Sequence, residues 1–326
     1  DGFEMQLNYF PVYFHPNEVK DGISIMNDFV AEVYDLLKSS GSDRELAIRI
    51  PASIEGSLSV GLDVKTWIDA GIADVIIGQN YSIPQLIDPM ADFTDLVNLA
   101  KGKDCRIHAA IQSHLDSDRL SEAPIEMIRA TASNYWRQGI DGLYLAHWFN
   151  NWPYEASFYE KLREVPHPDI METKDKFYSI ATSTGRYTEP DLEPGLEMQL
   201  PVEMEEGSTA NLEMDISDDL GLWDKTGRVH QVILRIRIEA TTELDKWEFI
   251  LNSDRLSEKG LRKLNRMYVM SAPRYRRTGY WYVFTLDKDN WPVKGKNHLT
   301  INMKKRDAGV IPLPEVLDVE LEIKYL

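Results

Sequence analysis

Hydrophobic positions change their spacing once along the chain, near residue 165. Up to that point, short runs with a period of two alternate with stretches whose apolar residues recur every three or four positions. That alternation is the pattern of a parallel sheet covered by helices. The runs 2–9, 45–50 (ELAIRI), 73–77 (ADVII), 105–111 (CRIHAAI) and 142–147 (GLYLAH) read as strands, with helices expected over 22–37, 64–70, 93–100, 124–138 and 155–163. These make five β/α units, whereas a closed barrel needs eight. The expectation is therefore either a partial (β/α)8 TIM barrel lacking its first three units or an open doubly wound sheet. The chain starts in mid-strand with Asp1 and no Met, which favours the partial barrel and would leave any targeting segment upstream.

Residues 166–194 are rich in Pro, Gly, Thr and charge (VPHPD, STGRYTEPDLEPG) and read as a linker. Beyond them the period becomes two, over 196–204, 210–216, 231–239, 247–252, 280–286, 298–303 and 319–325. Strands of that number, with turn residues between them, predict an antiparallel β-sandwich of jelly-roll-like type over 195–326, with a short helical insert within 256–270. The division is then 1–165 for the barrel portion of catalytic type, 166–194 for the linker and 195–326 for an accessory sandwich.

In such a barrel the chemistry lies at the carboxyl ends of the strands, and side chains alternate between the interior and the helices. In the first strand Phe3, Met5 and Leu7 share one face, which leaves Glu4, Gln6 and Asn8 together on the other. Three polar side chains on one inward face line a wet pocket more readily than a dry core. Arg49 occupies the corresponding face of the next strand, and Glu55 follows in the loop 52–56 at the carboxyl end. In CRIHAAIQSH the set Arg106, His108, Ala110, Gln112 and His114 shares a face, and the last strand ends in His147, Trp148 and Asn150. Indole faces stack on the apolar faces of sugar rings while amides and imidazoles take the hydroxyls, so this set suits a glycan.

Charge and composition remove other classes. A net charge of -17 argues against nucleic acid as a partner, because phosphate binding depends on clustered cations. The single cysteine, Cys105, excludes an internal disulfide and a cysteine-based metal cluster. No run approaches the roughly 18 to 20 apolar residues of a membrane span. Phosphate-cradling, dinucleotide, HExxH and GxSxG motifs are absent, so neither a cofactor nor a metal is expected.

The stretches DGFEMQLNYFPVYF, RIPASIEGSLSVGLDVKTWIDAGIADVIIG and WRQGIDGLYLAHWFN resemble the family-10-like glycoside hydrolases, from Asp1 to about Val165. The tail NHLTINMKKRD with DVELEIKY is similar to the sandwich that often follows such barrels. The resemblance implies that Glu4 matches the family's strand glutamate, Arg49 its arginine and Asp74 its acid after the helix. Two positions depart from the pattern: Gln6 stands where the family has a second acid, and His147 where its last strand ends in Asn. Glycoside hydrolysis generally uses two carboxyl groups, which makes Glu4 and Glu55 the expected catalytic pair. Gln6, Asn8, Arg49, Gln112, His114, His147, Trp148 and Asn150 are then expected to orient a polysaccharide or oligosaccharide substrate. A glycan substrate favours a secreted or periplasmic setting. The alternatives are a catalytically inactive carbohydrate-binding protein, in which Gln6 marks the lost acid, and a polysaccharide lyase using His114 or His147 as base.

Overall fold

The computed structural model describes residues 2–7, 13–80, 87–112, 123–146, 158–181, 198–265, 268–269, 276–277 and 279–326. The first half runs β1 (Gly2–Gln6), α1 (Val19–Ser40), β2 (Glu45–Pro51), α2 (Ile54–Ser59), α3 (Val64–Ala70), β3 (Val75–Gln79), α4 (Thr94–Ala100), β4 (Arg106–Ile111), α5 (Ile125–Arg137), β5 (Gly142–Leu145) and α6 (Phe158–Glu164). The five strands are all parallel and pair in the order β1-β2-β3-β4-β5. A doubly wound sheet reverses its strand order at a switch point. This sheet does not, and its helices collect on one face.

That face is apolar because alternate strand residues point to it. Leu46, Ile48 and Ile50 of β2, Ile76 of β3, and Ile107, Ala109 and Ile111 of β4 are buried against Val30 of α1, Trp67 of α3, Leu96 of α4 and Ile128 of α5. Helix α1 forms because Met26, Val30, Val33 and Leu37 recur at helical spacing and turn inward. It approaches its neighbours closely at Gly22, where a Cβ would lie 2.4 Å from the ring of Phe14. On the opposite face of the sheet, Val75, Ile77 and Ala110 form only a small cluster with Ala47 and Tyr144.

The amino ends of the strands are latched by a repeated device. Asp74 donates its N–H to the Leu46 carbonyl at 3.0 Å while its carboxylate accepts the Leu46 N–H at 2.6 Å. Asp141 does the same with Ile107, at 2.8 Å in both directions. The similar sequences GIADV and GIDGL thus fix the register of β3 on β2 and of β5 on β4.

The second half contains α7 (Pro168–Met171), β6 (Lys176–Ser179), β7 (Val202–Glu203), β8 (Thr209–Ile216), α8 (Leu220–Lys225), β9 (Val229–Glu239), β10 (Lys246–Leu251), β11 (Asp254–Arg255), β12 (Leu261–Asn265), β13 (Tyr268–Val269), β14 (Arg276–Arg277), β15 (Gly279–Thr285), β16 (Gly295–Lys305) and β17 (Glu315–Tyr325). One sheet has the order β11-β10-β16-β8, and a second has β12-β15-β9-β17-β6 with β7 beside β17. All these pairings are antiparallel. The two sheets share one core, in which Leu212, Ile301 and Phe249 meet Leu234, Tyr282 and Leu321.

Three local expectations are corrected. The stretch 166–194 is not linker throughout, because α7 and β6 lie within it and β6 pairs with β17. Alternating burial explains the strand: Tyr178 points into the sandwich core, and Phe177 packs against the α/β core. Among the described residues of the 256–270 insert, the helical part is a single 3-10 turn, Glu258–Gly260, before the chain returns to strand as β12. Glu55 lies not in a loop but in the first turn of α2, whose N-cap Ser53 accepts the Gly56 N–H at 3.0 Å.

Helix α5 joins the halves because its residues serve two cores. Met127, Ile128, Ala132 and Tyr135 enter the α/β core, while Ala130 enters the sandwich core. Four residues after Ala130, the Asn134 amide donates to the carbonyls of Pro89 and Asp215, both at 2.8 Å. Arg137 then pairs with the Asp215 carboxylate. Below this seam, Lys176 and Asp218 form a sealed ion pair at 2.9 Å.

Candidate functional site

The face of the parallel sheet turned away from the helices carries a connected polar cluster. Cross-strand register sets Glu4 beside Ala47 and Gln6 beside Arg49, so the acid and the guanidinium lie diagonally on one face. The Glu4 carboxylate accepts from Arg49 Nη2 at 2.8 Å and from the Tyr144 hydroxyl at 3.2 and 3.3 Å. The Arg49 guanidinium also lies over the Tyr144 ring, 4.7 Å from its centroid. Its Nη1 donates to the side chain of Gln79 at 3.3 Å. Burial pushes the Tyr144 phenol above its usual range, although Arg49 pulls against it, so the hydroxyl stays protonated and able to donate.

The cluster is incompletely satisfied. Arg49 is 7% and Gln112 is 3% exposed, yet among the described residues Arg49 Nε and Gln112 Oε1 have no hydrogen-bond partner. The other end of the Gln112 amide donates to the Asn80 carbonyl at 3.2 Å, which fixes its orientation. Buried polar atoms without partners are costly. A ligand presenting an acceptor near Arg49 and a donor near Gln112 would remove that cost. Glu4, with about a third of its side chain exposed, opens this cluster to solvent.

His108 occupies the same face nearer the amino end. It rests on Gly142, where a Cβ would stand 2.6 Å from Nε2, so the glycine makes room for the imidazole. Burial, assisted by the Arg106 charge, lowers the His108 pKa and favours the neutral ring. Among the described residues no group of three or more His, Cys, Asp or Glu side chains could hold a metal.

Of the expected site residues, the structure brings Glu4, Gln6 and Arg49 together and sets Gln112 on the same face. Glu55 is exposed, in the first turn of α2. Register puts Ala47 beside Glu4, and Pro51, four residues on, ends β2 roughly 13 Å further along the strand. Glu55 lies beyond that end. Asp74 is the amino-end latch described above and also pairs with Lys38 at 2.9 Å, so it lies away from the Glu4 cluster. Asn8, His114, His147, Trp148 and Asn150 fall outside the described residues. Sequence reasoning missed Tyr144 and Gln79. The signal for both was alternation, since Tyr144 is in phase with Gly142 and Gln79 with Val75 and Ile77.

No protein-family model matches the chain, and no curated protein matches it. Among solved structures it is similar to BuGH86wt in complex with neoagarooctaose, at 9% identity and a TM-score of 0.31, over 96% of this chain and 69% of that one. It is also similar to a beta-porphyranase of glycoside hydrolase family 86 from the human gut bacterium Bacteroides plebeius, at 12% identity and a TM-score of 0.25. That match spans 39% of this chain and only 19% of the porphyranase. A two-domain esterase (CEX) active on acetylated mannans is similar at 10% identity and a TM-score of 0.23, over 91% of this chain and 85% of that one. At these scores the likenesses carry no argument, and a functional reading rests on the cluster around Glu4.

Proposed function

We propose that the chain is a glycoside-hydrolase-like protein whose parallel sheet is an arc of a (β/α)8 barrel and whose helix-free face handles a polysaccharide or oligosaccharide. The observation that carries this reading is the Glu4–Arg49–Tyr144 cluster, whose carboxylate is fixed by two donors and still reaches solvent. A carboxylate held by a guanidinium and a phenol has a fixed direction. It can attack or electrostatically stabilise the positive charge that develops at an anomeric carbon. Arg49 and Tyr144 orient it, and Gln6 and Gln112 offer amides to sugar hydroxyls.

Hydrolysis also needs a second carboxyl, roughly 5 to 9.5 Å from the first. The separation of Glu55 from the cluster favours a second reading, in which the face binds glycan without cleaving it. Glycan binding and turnover measured together on the same panel of neutral and acidic polysaccharides separate the two. Under the hydrolase reading Glu4→Gln lowers turnover by roughly 10²- to 10⁴-fold with binding retained. Turnover unchanged by Glu4→Gln would remove Glu4 from the chemistry, and unchanged turnover in Glu55→Gln would assign the second carboxyl elsewhere. Tight binding with no products from any substrate would select the binding protein.

A further inference from the structure

Two cavities lie along the seam between the α/β unit and the sandwich, on the helix side of the parallel sheet and so across it from Glu4. The larger is about 540 Å³ and the smaller about 260 Å³. Arg137 lines both, and the same three stretches build both: the end of α5, residues 213–223 and residues 294–296. The two cavities therefore neighbour each other along α5, on either side of Arg137. Clefts between domains and of this size are where small molecules and short chains bind.

The lining describes the ligand. In the larger cavity Arg137 is paired with Asp215, and Lys296 lies 3.5 Å from Glu213. Asp92 adds a third carboxylate against these two cations, so an anionic ligand gains nothing there. Asp215 Oδ1 is buried and, among the described residues, has no hydrogen-bond partner, while the rest of the residue contributes to the cavity wall. Pro89, Met90 and Met214 supply an apolar floor. In the smaller cavity two indoles, Trp136 and Trp223, line the wall together with Ser133 and Asp219. The Trp136 N–H is already donated to the Val165 carbonyl at 2.7 Å, so its contribution to the cavity is apolar. Neutralised charges, acceptors in excess, an apolar floor and indole rings together fit an uncharged chain with many hydroxyl donors and apolar ring faces.

We infer that these two seam cavities form a second binding site, which takes a neutral oligosaccharide laid along α5 from the Asp215 side to Trp223. The inference shares only its ligand class with the proposed function and stands on its own lining. It gives the sandwich a role in holding glycan rather than only buttressing the sheet.

The test uses the full chain with cellohexaose, mannohexaose and neoagarohexaose, read by hydrogen exchange and titration calorimetry. At least one hexasaccharide is expected to protect amides in both 88–94 and 213–223. Trp223→Ala should weaken that binding by roughly tenfold or more, as loss of a stacking face does. Lys296→Ala, at an exposed position that leaves the fold intact, should weaken it by a smaller factor, and Glu4→Gln should leave the seam protection unchanged. Absence of seam protection with all three sugars, or affinity indifferent to both seam variants, would overturn the inference. Glu4-dependent turnover without seam protection would sink the seam site while leaving the proposed function standing. Seam protection with no turnover of any substrate would leave the seam site standing while removing the hydrolase reading of the Glu4 face.

Discussion

Two ion pairs in this protein are built from similar groups and left in opposite states. Lys176 and Asp218 lie at the seam, 2% and 4% exposed. Every donor there is used: Lys176 reaches Asp218 at 2.9 Å and the carbonyl of Met171 at 2.6 Å, and Tyr178 and Tyr325 both donate to Asp218. Burial beside that carboxylate drives both phenols far above their usual range, so they remain donors at any ordinary pH. Arg49 and Glu4 are also paired, but among the described residues Arg49 Nε has no partner, and the acid stands partly in water. A charge that the fold needs is closed off by its own neighbours. Under the proposed function, the other charge is held in direction and left unfinished for a ligand.

This contrast can be broken by mutation, and the largest effect is expected at the sealed pair. Lys176→Met strands a buried carboxylate and should cost about 3–5 kcal/mol, read from the midpoint of denaturant unfolding. Glu4→Gln, in contrast, should cost less, because Glu4 is partly solvated and the amide oxygen of the replacement can still accept from Arg49, while affecting turnover as described above. Comparable losses from the two substitutions would put both pairs in one structural class.

A smaller loss is expected from the strand latches. Asp141→Ala leaves the Ile107 N–H without its side-chain acceptor and should cost about 1–3 kcal/mol, with hydrogen exchange rising at the amino ends of β4 and β5. Exchange unchanged there would mean that pairing along the strands alone fixes the register.

The weakest effect concerns pH. The His108 pKa is lowered in the folded chain by burial, so the unfolded chain binds the proton more readily. Its contribution to stability is complete above the unfolded value of roughly 6.5. It declines as pH falls through that value toward the folded one. Unfolding midpoints of wild type and His108→Gln, compared between pH 8 and pH 5, should show a steeper acid loss in the wild type. Parallel profiles would mean that the ring is hydrated enough to charge without penalty.

Much of the scaffold was legible in the sequence because burial imposes period two on strands and three to four on helices. The Leu46, Ile48 and Ile50 face, helix α3 at Val64–Ala70 and the antiparallel second half all follow from that rule. Strand β6 was hidden by brevity and by the Pro-rich composition around it. Helix α2 was hidden because a six-residue helix shows too little periodicity to separate it from a loop.

For the site, alternation alone placed Glu4 and Arg49 on one face, since the side-chain period of a strand is a local property of the backbone. What only the tertiary structure decided was partnership. Tyr144 reaches Glu4 from 140 positions away, and Glu55, much nearer in sequence, does not join it. Such choices depend on strand order and register, which arise from packing between distant segments, and no spacing along the chain encodes them directly. The same holds at the seam, where the sequence foretold a helix at α5 but not that one of its faces would meet a sandwich.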